Sequence, residues 1–540
     1  MANHTTPTPV REQLRPTLPP FAHQWEALER GGNKYAYAYL MDPGTGKTKV
    51  TIDNAAWLYA RRVIQALCVT GPGDVPEQWL SEQLPLHWPN PAILRTALWR
   101  ASSVRARREC EELSTHPVAG TFPVLAINHE AFATAPGKAV VKAFLTRYPA
   151  MFVLDESDAF KTPKAQRTRA VRDLAPLAVV RRILTGTVAD TPFDLFAQFA
   201  FLDERILGHR SFLAFKHHYG VFSKEFAKYK DPKTGVLKLR PYESLQHYQR
   251  LEELYARIDK YSYRITKEQC TDLPPKLYSK ILTHLSPSQR ALYDQIKEQG
   301  VALMKRAEAG EPIEVQDLAL LGDEELLEAL QAAPNRLTAS IALVVMLRLQ
   351  QCVGGFVTDD AGVVRAIDGD PIKTPRVEAT IDKAVAIVKS GAKVIVWAQF
   401  RAELEALRKA IDLADGSLNR TSVLVHGGVV GNARTDAFNA FKDPKSSVRT
   451  LIAHPRTAGV GMNFAVATNV IYYSNSYSYR SRKQSEDRVH RIGQTGTVNV
   501  YDLRSSDVPI DDNIANIQGT KKDVATAIMT WKSKELEVAC

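Results

Sequence analysis

The chain has 540 residues, 45% of them hydrophobic and 24% charged. This ordinary globular balance excludes a fibrous, low-complexity or membrane-embedded protein and leaves room for roughly three or four domain-sized units. A net charge of +11 suits a polyanionic partner such as nucleic acid, although a generally basic soluble protein would carry the same charge.

In chain order, residues 1–16 are polar and rich in Pro and Thr, the composition of a loose arm. A short helical pattern follows, and it contains Gln24. An amide just upstream of a nucleotide loop can read an adenine edge, whereas on its own it is a solvated helix residue. The apolar run 35–41 reads as a buried strand and ends in Asp42-Pro43-Gly44-Thr45-Gly46. Lys47-Thr48 then opens a helix. Strand, glycine turn, Gly-Lys-Thr and helix are the parts of a phosphate-binding loop. Gly44, Thr45 and Gly46 let backbone N–H groups converge on phosphates, Lys47 reaches the β/γ-phosphates and the Thr48 hydroxyl ligates Mg²⁺. Met41 stands where the full pattern has glycine.

Apolar runs at 63–70, 123–128, 151–154 and 181–185 alternate with helical patterns up to residue 205. The alternation predicts an α/β fold with a parallel, doubly wound sheet whose functional loops lie at the strand C-terminal ends. One such end carries Asp155-Glu156-Ser157-Asp158. Asp155 is placed to hold Mg²⁺ through water, and Glu156 to orient and deprotonate an attacking water. Another carries Thr185-Gly186-Thr187, small groups able to couple the carboxylates to a neighbouring site.

Residues 206–372 are expected to be largely helical insertions. Within them 219–263 is rich in Lys, Arg, Tyr and His without clean strands, with a turn at Asp231-Pro232-Lys233-Thr234-Gly235 that suits a small hairpin. The basic stretch 216–264 is either a clasp on duplex or a solvated face. Helical patterns follow at 289–332 and 336–351, then a turn-rich loop at 359–370. Strand–helix alternation returns over 373–510, with strands at 393–398, 422–425, 449–453, 468–473 and 497–503. This second lobe has no nucleotide loop of its own, so one ATP site per chain is expected. Its final motif is Gln484-Ser485-Glu486-Asp487-Arg488-Val489-His490-Arg491-Ile492-Gly493-Gln494. On a helix, Arg488 and Arg491 share a face, with Gln484 one turn before them. Paired guanidinium groups suit the charge of a γ-phosphoryl transition state. Residues 511–540 read as a helix with a mixed-charge tail.

The cysteines (Cys68, Cys110, Cys270, Cys352, Cys540) form no zinc spacing and fit a reducing compartment. The start lacks a signal-peptide core and no apolar run is long enough to span a membrane, so an intracellular, cytoplasmic protein is expected.

Together these motifs resemble the Swi/Snf-type ATPases among the superfamily 2 helicase-like motors. Asp487–Gln494 is the most specific match. Lys161-Thr162-Pro163-Lys164 after the acidic box, Leu273-Pro274-Pro275-Lys276, Leu347-Arg348-Leu349-Gln350-Gln351-Cys352, Ala458-Gly459-Val460-Gly461-Met462-Asn463 and Ile510-Asp511-Asp512 extend the resemblance along the chain. Two positions depart from it: Asp158 stands where remodellers usually carry His, and Ser474-Asn475 where many members have an acidic residue. The absence of added chromatin-reading modules is more like bacterial or viral members, and a bacterial or virus-infected cell is the expected setting.

The resemblance implies two RecA-like lobes that close on ATP and part after hydrolysis, and movement along DNA, probing mainly its backbone. It implies nucleic-acid contacts at Thr70, Pro72 and Asn128 in the first lobe. In the second it implies Gln399, His426, Gly427, Gly459, Gly461, Asn463 and Trp397, the last of these equally a core residue. The readings left open are a duplex translocase, a strand-separating DNA or RNA helicase, an ATP-gated clamp, and the motor of a restriction or defence complex whose protein partner supplies specificity.

Overall fold

The run Ala36–Met41 (β1) is buried at every position. That pattern follows from a parallel sheet covered on both faces, where alternation of polar and apolar residues is lost. The same reasoning accounts for Ala66–Gly71 (β2) and Ala150–Asp155 (β5), also buried throughout. The computed structural model describes residues 11, 14–186, 191–230, 237–270, 274–308, 337–358, 363–414, 422–429, 432–455, 457, 462–491 and 493–520. The arm before residue 11, Thr187, Gly459, Gly461 and the tail after 520 lie outside the described residues.

The chain divides into two units, Met1–Asp272 and Leu273–Cys540. The first holds a seven-stranded sheet of β1, β2, Leu94–Leu98 (β3), Phe122–Asn128 (β4), β5, Val180–Leu184 (β6) and Ser262–Ile265 (β9), in the order β3-β4-β2-β5-β6-β1-β9. Every neighbouring pair is parallel. β1, β6 and β5 are therefore consecutive, and the loops after them share one edge. Buried Arg182 on β6 fixes the C-terminal end of the helix Ala22–Gly31 near the start of β1: it donates to the carbonyls of Gly31 (3.1 Å) and Lys34 (2.7 Å) and to Asn54 Oδ1 (3.1 Å).

The second unit holds Lys276–Thr283 (β10), Val394–Trp397 (β13), Ser422–Val425 (β14), Thr450–Ala453 (β15), Asn469–Tyr472 (β16) and Val498–Ser505 (β17), all parallel, in the order β10-β17-β16-β13-β15-β14. Helix Ile510–Thr520 packs Ile510, Ile514 and Ile517 with residues of Pro287–Glu308 and Leu337–Val353. Its Asp511 accepts two hydrogen bonds of 3.0 Å from buried Arg376.

The middle of the chain departs from its expected character. Gly220–Lys230 (β7) and Leu237–Tyr248 (β8) form an antiparallel ribbon flanking 231–235, so the hairpin expected there is present but longer, in a stretch read as lacking clean strands. β9 and β10 each add a strand to one of the main sheets. β3 and β10 are edge strands with exposed positions, and their charged residues mask a strand pattern. Phe356–Thr358 (β11) pairs with Val364–Ala366 (β12) where only a loop was expected.

Candidate functional site

The loop after β1 is shaped by two left-handed glycines, Gly44 at φ 84° and Gly46 at φ 91°. Gly46 caps the helix Lys47–Ala60, whose first turn leaves backbone N–H groups unpaired for an anion. Glycine is favoured here by its φ, and a Cβ, 2.1 Å from Gln24 Nε2, would also push the Gln24 amide off the loop. Gln24 is buried. Its Nε2 donates to the Thr45 carbonyl (3.0 Å), and its Oε1 accepts from the Phe21 N–H (3.1 Å). His23 Nε2 reaches the same Thr45 carbonyl at 2.8 Å. The Thr45 hydroxyl donates to the Asp42 carbonyl (2.8 Å), and the Asp42 N–H donates to Ile265 on β9 (3.1 Å). Gln24 therefore braces the loop in this structure. β9, which the sequence did not disclose, supports the loop from the other side.

At the end of β5, Asp155 is 6% exposed. Its Oδ2 accepts from Trp79 Nε1 (2.9 Å) and its Oδ1 from the Glu156 N–H (3.0 Å). Burial, reinforced by the Glu156 charge, pushes the Asp155 carboxyl up to about 6, while Lys47 opposes the shift. Glu156 has φ 50°, a left-handed conformation that a residue with a Cβ rarely adopts. Its Oε1 lies 4.0 Å from Lys47 Nζ. His129 Nε2 is 3.0 Å from the Asp155 carbonyl, and burial pushes the imidazole down to about 3, so it is neutral. Trp79 is an orienting residue that sequence reasoning missed, whereas His129 stands at a strand end that the sequence marks as a candidate, without a role assigned to it. Nothing in the local sequence distinguishes Trp79 from a core aromatic.

The turn after β6 packs on the phosphate loop itself. The Thr185 N–H donates to the Tyr39 carbonyl on β1 (3.3 Å). A Cβ at Gly186 would lie 2.3 Å from Pro43 Cδ. Thr185 and Asp158 are both buried. Ser157 Oγ donates to Gln198 Oε1 (2.7 Å), and Gln198 Nε2 to the Asp194 carbonyl (3.1 Å). Thr48 is half-buried on the first turn of its helix. Gly44, Thr45, Gly46, Lys47, Thr48, Asp155, Glu156, Thr185 and Gly186 thus belong to the ends of three adjacent strands.

The second unit requires corrections. Its helix Tyr479–Asp487 stops before Arg488, so Arg488 and Arg491 do not share a helical face. Arg488 is 5% exposed, donates to the Pro455 carbonyl (2.7 Å) and sits 5.7 Å over the Trp397 ring. Burial pulls its guanidinium down to about 10. It is packed into its own lobe rather than presented at a surface. Arg491 is half-buried, with Nη1 3.3 Å from the Met462 carbonyl. Gln484 is half-buried on the helix. The departure at Ser474-Asn475 is compensated from other strands and helices. Asn475 Oδ1 accepts from Arg482 (2.6 Å), whose guanidinium also engages Asp502 on β17 (2.5 Å), and Ser474 Oγ donates to buried Glu403.

Two nucleic-acid candidates are interior. Thr70 is fully buried in β2, and its hydroxyl finds no hydrogen-bond partner among the described residues. Trp397 is fully buried at the end of β13, the packing alternative. Pro72, Asn128, Gln399 and His426 are half-buried at strand ends, and Gly427 and Asn463 are exposed. Among the described residues no helix is long and apolar enough to cross a membrane, and no cluster of His, Cys, Asp and Glu forms a metal cage.

Known domain families match most of both units. Residues 377–493 match the helicase conserved C-terminal domain. The TATA-binding protein-associated factor mot1 of Aspergillus fumigatus is 27% identical over 405 residues, 71% of this chain but 20% of that protein. An uncharacterised ATP-dependent helicase of Mycoplasma genitalium is 22% identical, covering 69% of this chain and 30% of its own. A mouse SWI/SNF-related, matrix-associated, actin-dependent regulator of chromatin is 25% identical over 469 residues, 85% of this chain and 38% of its own. The chain thus spans about a fifth of the length of the mot1-type relatives. The Sulfolobus solfataricus SWI2/SNF2 ATPase core in complex with dsDNA aligns over 97% of both chains at 20% identity, with a TM-score of 0.39. The SNF2-related domain matches residues 39–333, more than half of the chain and the stretch that holds Lys47, Asp155 and Glu156, and the chain belongs to that family.

Proposed function

We propose that the chain is an ATP-hydrolysing motor that moves along double-stranded DNA and remodels DNA or protein–DNA complexes. One observation carries the reading: the phosphate loop and the carboxylate pair meet, with Lys47 Nζ 4.0 Å from Glu156 Oε1. Membership of the SNF2-related family supports it.

Gly44, Thr45 and Gly46 present N–H groups to the phosphates, and Lys47 exchanges its long contact to Glu156 for a phosphate oxygen. Thr48 and Asp155 are hard oxygen donors of the kind Mg²⁺ takes. They fit that ion, because a divalent cation would offset the cost of keeping the buried Asp155 carboxylate ionised beside Glu156. Magnesium, when bound, neutralises charge on the phosphates. Glu156 orients and deprotonates the attacking water. Arg491 supplies the cation from the second lobe, and Arg488 serves to hold that lobe together. Closure on ATP and release after hydrolysis convert turnover into movement. Asn128, Pro72, Gln399, His426, Gly427 and Asn463 touch phosphate and sugar, so binding is sensitive to salt and largely independent of sequence. A separate protein partner supplies target choice. The buried free thiols of Cys68, Cys110 and Cys352 suit a reducing cytoplasm.

The test is ATP hydrolysis measured in parallel with single-stranded, duplex and forked DNA and with RNA. Duplex stimulation without strand displacement supports the proposal. Stimulation by single strands alone, together with robust unwinding, replaces it with a strand-separating helicase.

A further inference from the structure

We infer that the β7–β8 ribbon is an arm that enters the groove of duplex DNA, an inference that rests on the motor reading above. Eleven residues of β7 pair with β8, and at about 3.4 Å per residue the ribbon is roughly 35 Å long. Among the described residues, contacts that fix it to the lobe lie at its root. Phe193 stacks on Phe222 (6.1 Å between centroids) and meets Tyr248 edge-on (5.2 Å). A Cβ on Gly220 would lie 2.8 Å from Phe193 Cζ. Lys216 Nζ sits 4.1 Å over Phe222 and 2.9 Å from Glu243.

The charge is sorted along the ribbon. The two acidic residues of the strands, Glu225 and Glu243, lie in the root half together with Lys224, which the register sets opposite Glu243, and Glu243 is engaged by Lys216 and by His217 (3.4 Å). Beyond Phe226, which is 64% exposed, the strands carry Lys228, Lys230, Lys238 and Arg240 and no acid, and the sequence between them adds one acid and one base, Asp231 and Lys233. The register sets Tyr229 opposite Lys238 and Ala227 opposite Arg240. A basic two-stranded ribbon matches the roughly 12 Å major groove of B-DNA, whereas the narrow major groove of A-form RNA does not admit side chains. The root is also tied to the ATP side of the lobe, because Phe193 adjoins Asp194, which accepts from Gln198, which in turn accepts from Ser157 beside Glu156. The same lysines would also keep free strand edges from pairing with other chains, and that role alone requires no effect on DNA binding.

The experiment compares the full-length chain with two variants: Lys228→Gln/Lys230→Gln/Lys238→Gln/Arg240→Gln, and the charge-retaining Lys228→Arg/Lys230→Arg/Lys238→Arg. Affinity for a duplex DNA and a duplex RNA is measured between 50 and 200 mM salt, with melting temperature as the control for folding. Each lost phosphate contact lowers the slope of log K against log salt by about 0.9, so the glutamine variant is expected to lose about 2–4 from the DNA slope. The arginine variant retains it. An unchanged DNA slope in the glutamine variant overturns the inference, and equal losses on DNA and RNA overturn the groove assignment. If the wild-type chain binds no duplex and its ATPase ignores DNA, the motor reading itself fails.

Discussion

Replacing Gly186 with alanine tests the contact that joins the turn after β6 to the phosphate loop. The new Cβ would stand 2.3 Å from Pro43 Cδ, 2.8 Å from Cγ and 3.0 Å from the Pro43 nitrogen. Carbon atoms pack comfortably at about 3.5 Å or more, so the closest approach is about 1.2 Å too short. A ring closed on its own backbone cannot rotate away. Either the loop carrying Lys47 or the turn carrying Thr185 must therefore move. Overpacking of this kind costs about 1–3 kcal/mol, and a displacement of about 1 Å at reacting groups can lower turnover about a hundredfold. Gly186→Ala is therefore expected to lower kcat for ATP by about two orders of magnitude and to reduce the melting temperature. The double variant Gly186→Ala/Pro43→Ala removes Cδ and Cγ and should recover at least about tenfold of that loss. Gly519→Ala is the control: nothing lies within 4 Å of its Cβ, and it sits in a helix, so stability should hold or rise. Steady-state hydrolysis, nucleotide titration and thermal melting read all three. Wild-type kcat in Gly186→Ala would refute the coupling drawn between the turn and the loop.

Lys47→Ala and Glu156→Gln should each abolish turnover, with melting temperatures near wild type; near-normal hydrolysis in either would remove the site assignment. Arg491→Ala should spare nucleotide binding and cripple hydrolysis, whereas Arg488→Ala should first lower the stability of the second lobe; the reverse pattern would restore Arg488 as the transition-state cation. Trp79→Phe keeps an aromatic but smaller side chain and deletes the donor to Asp155 Oδ2, and kcat should fall about ten- to hundredfold; unchanged kinetics would make Trp79 a packing residue only. Burial pushes Glu403 up to about 7 from 4.5, so its stabilisation is complete below about pH 4.5 and is lost as pH rises through 7. Urea midpoints at pH 5 and pH 8 should show the wild type losing on the order of 3 kcal/mol more than Glu403→Gln, and equal losses would contradict the shift.

The central strands were legible because complete burial leaves unbroken apolar runs, as in Ala36–Met41 and Ala150–Asp155. The phosphate loop and carboxylates were legible because their chemistry fixes residue type at fixed spacing. Of the edge strands, β14 was legible, whereas β3, β9 and β10 were not. β10 is exposed along most of its length and reads as a mixed, Lys-bearing segment. The ribbon carries Lys and Tyr on a structure with no sheet to cover it. Arg488 misled because spacing on a helix was assumed to continue past Asp487, where the helix in fact ends. Thr70 and Trp397 show a related limit: position at a strand end does not determine whether a side chain turns inward.

The most direct test of the central claim is ATP-driven displacement of a third strand from a triplex set within a long duplex. The account predicts displacement that requires ATP, is lost in Glu156→Gln, and leaves the duplex strands paired. A third strand that stays bound while the duplex stimulates ATP turnover, or a duplex that comes apart, would contradict it.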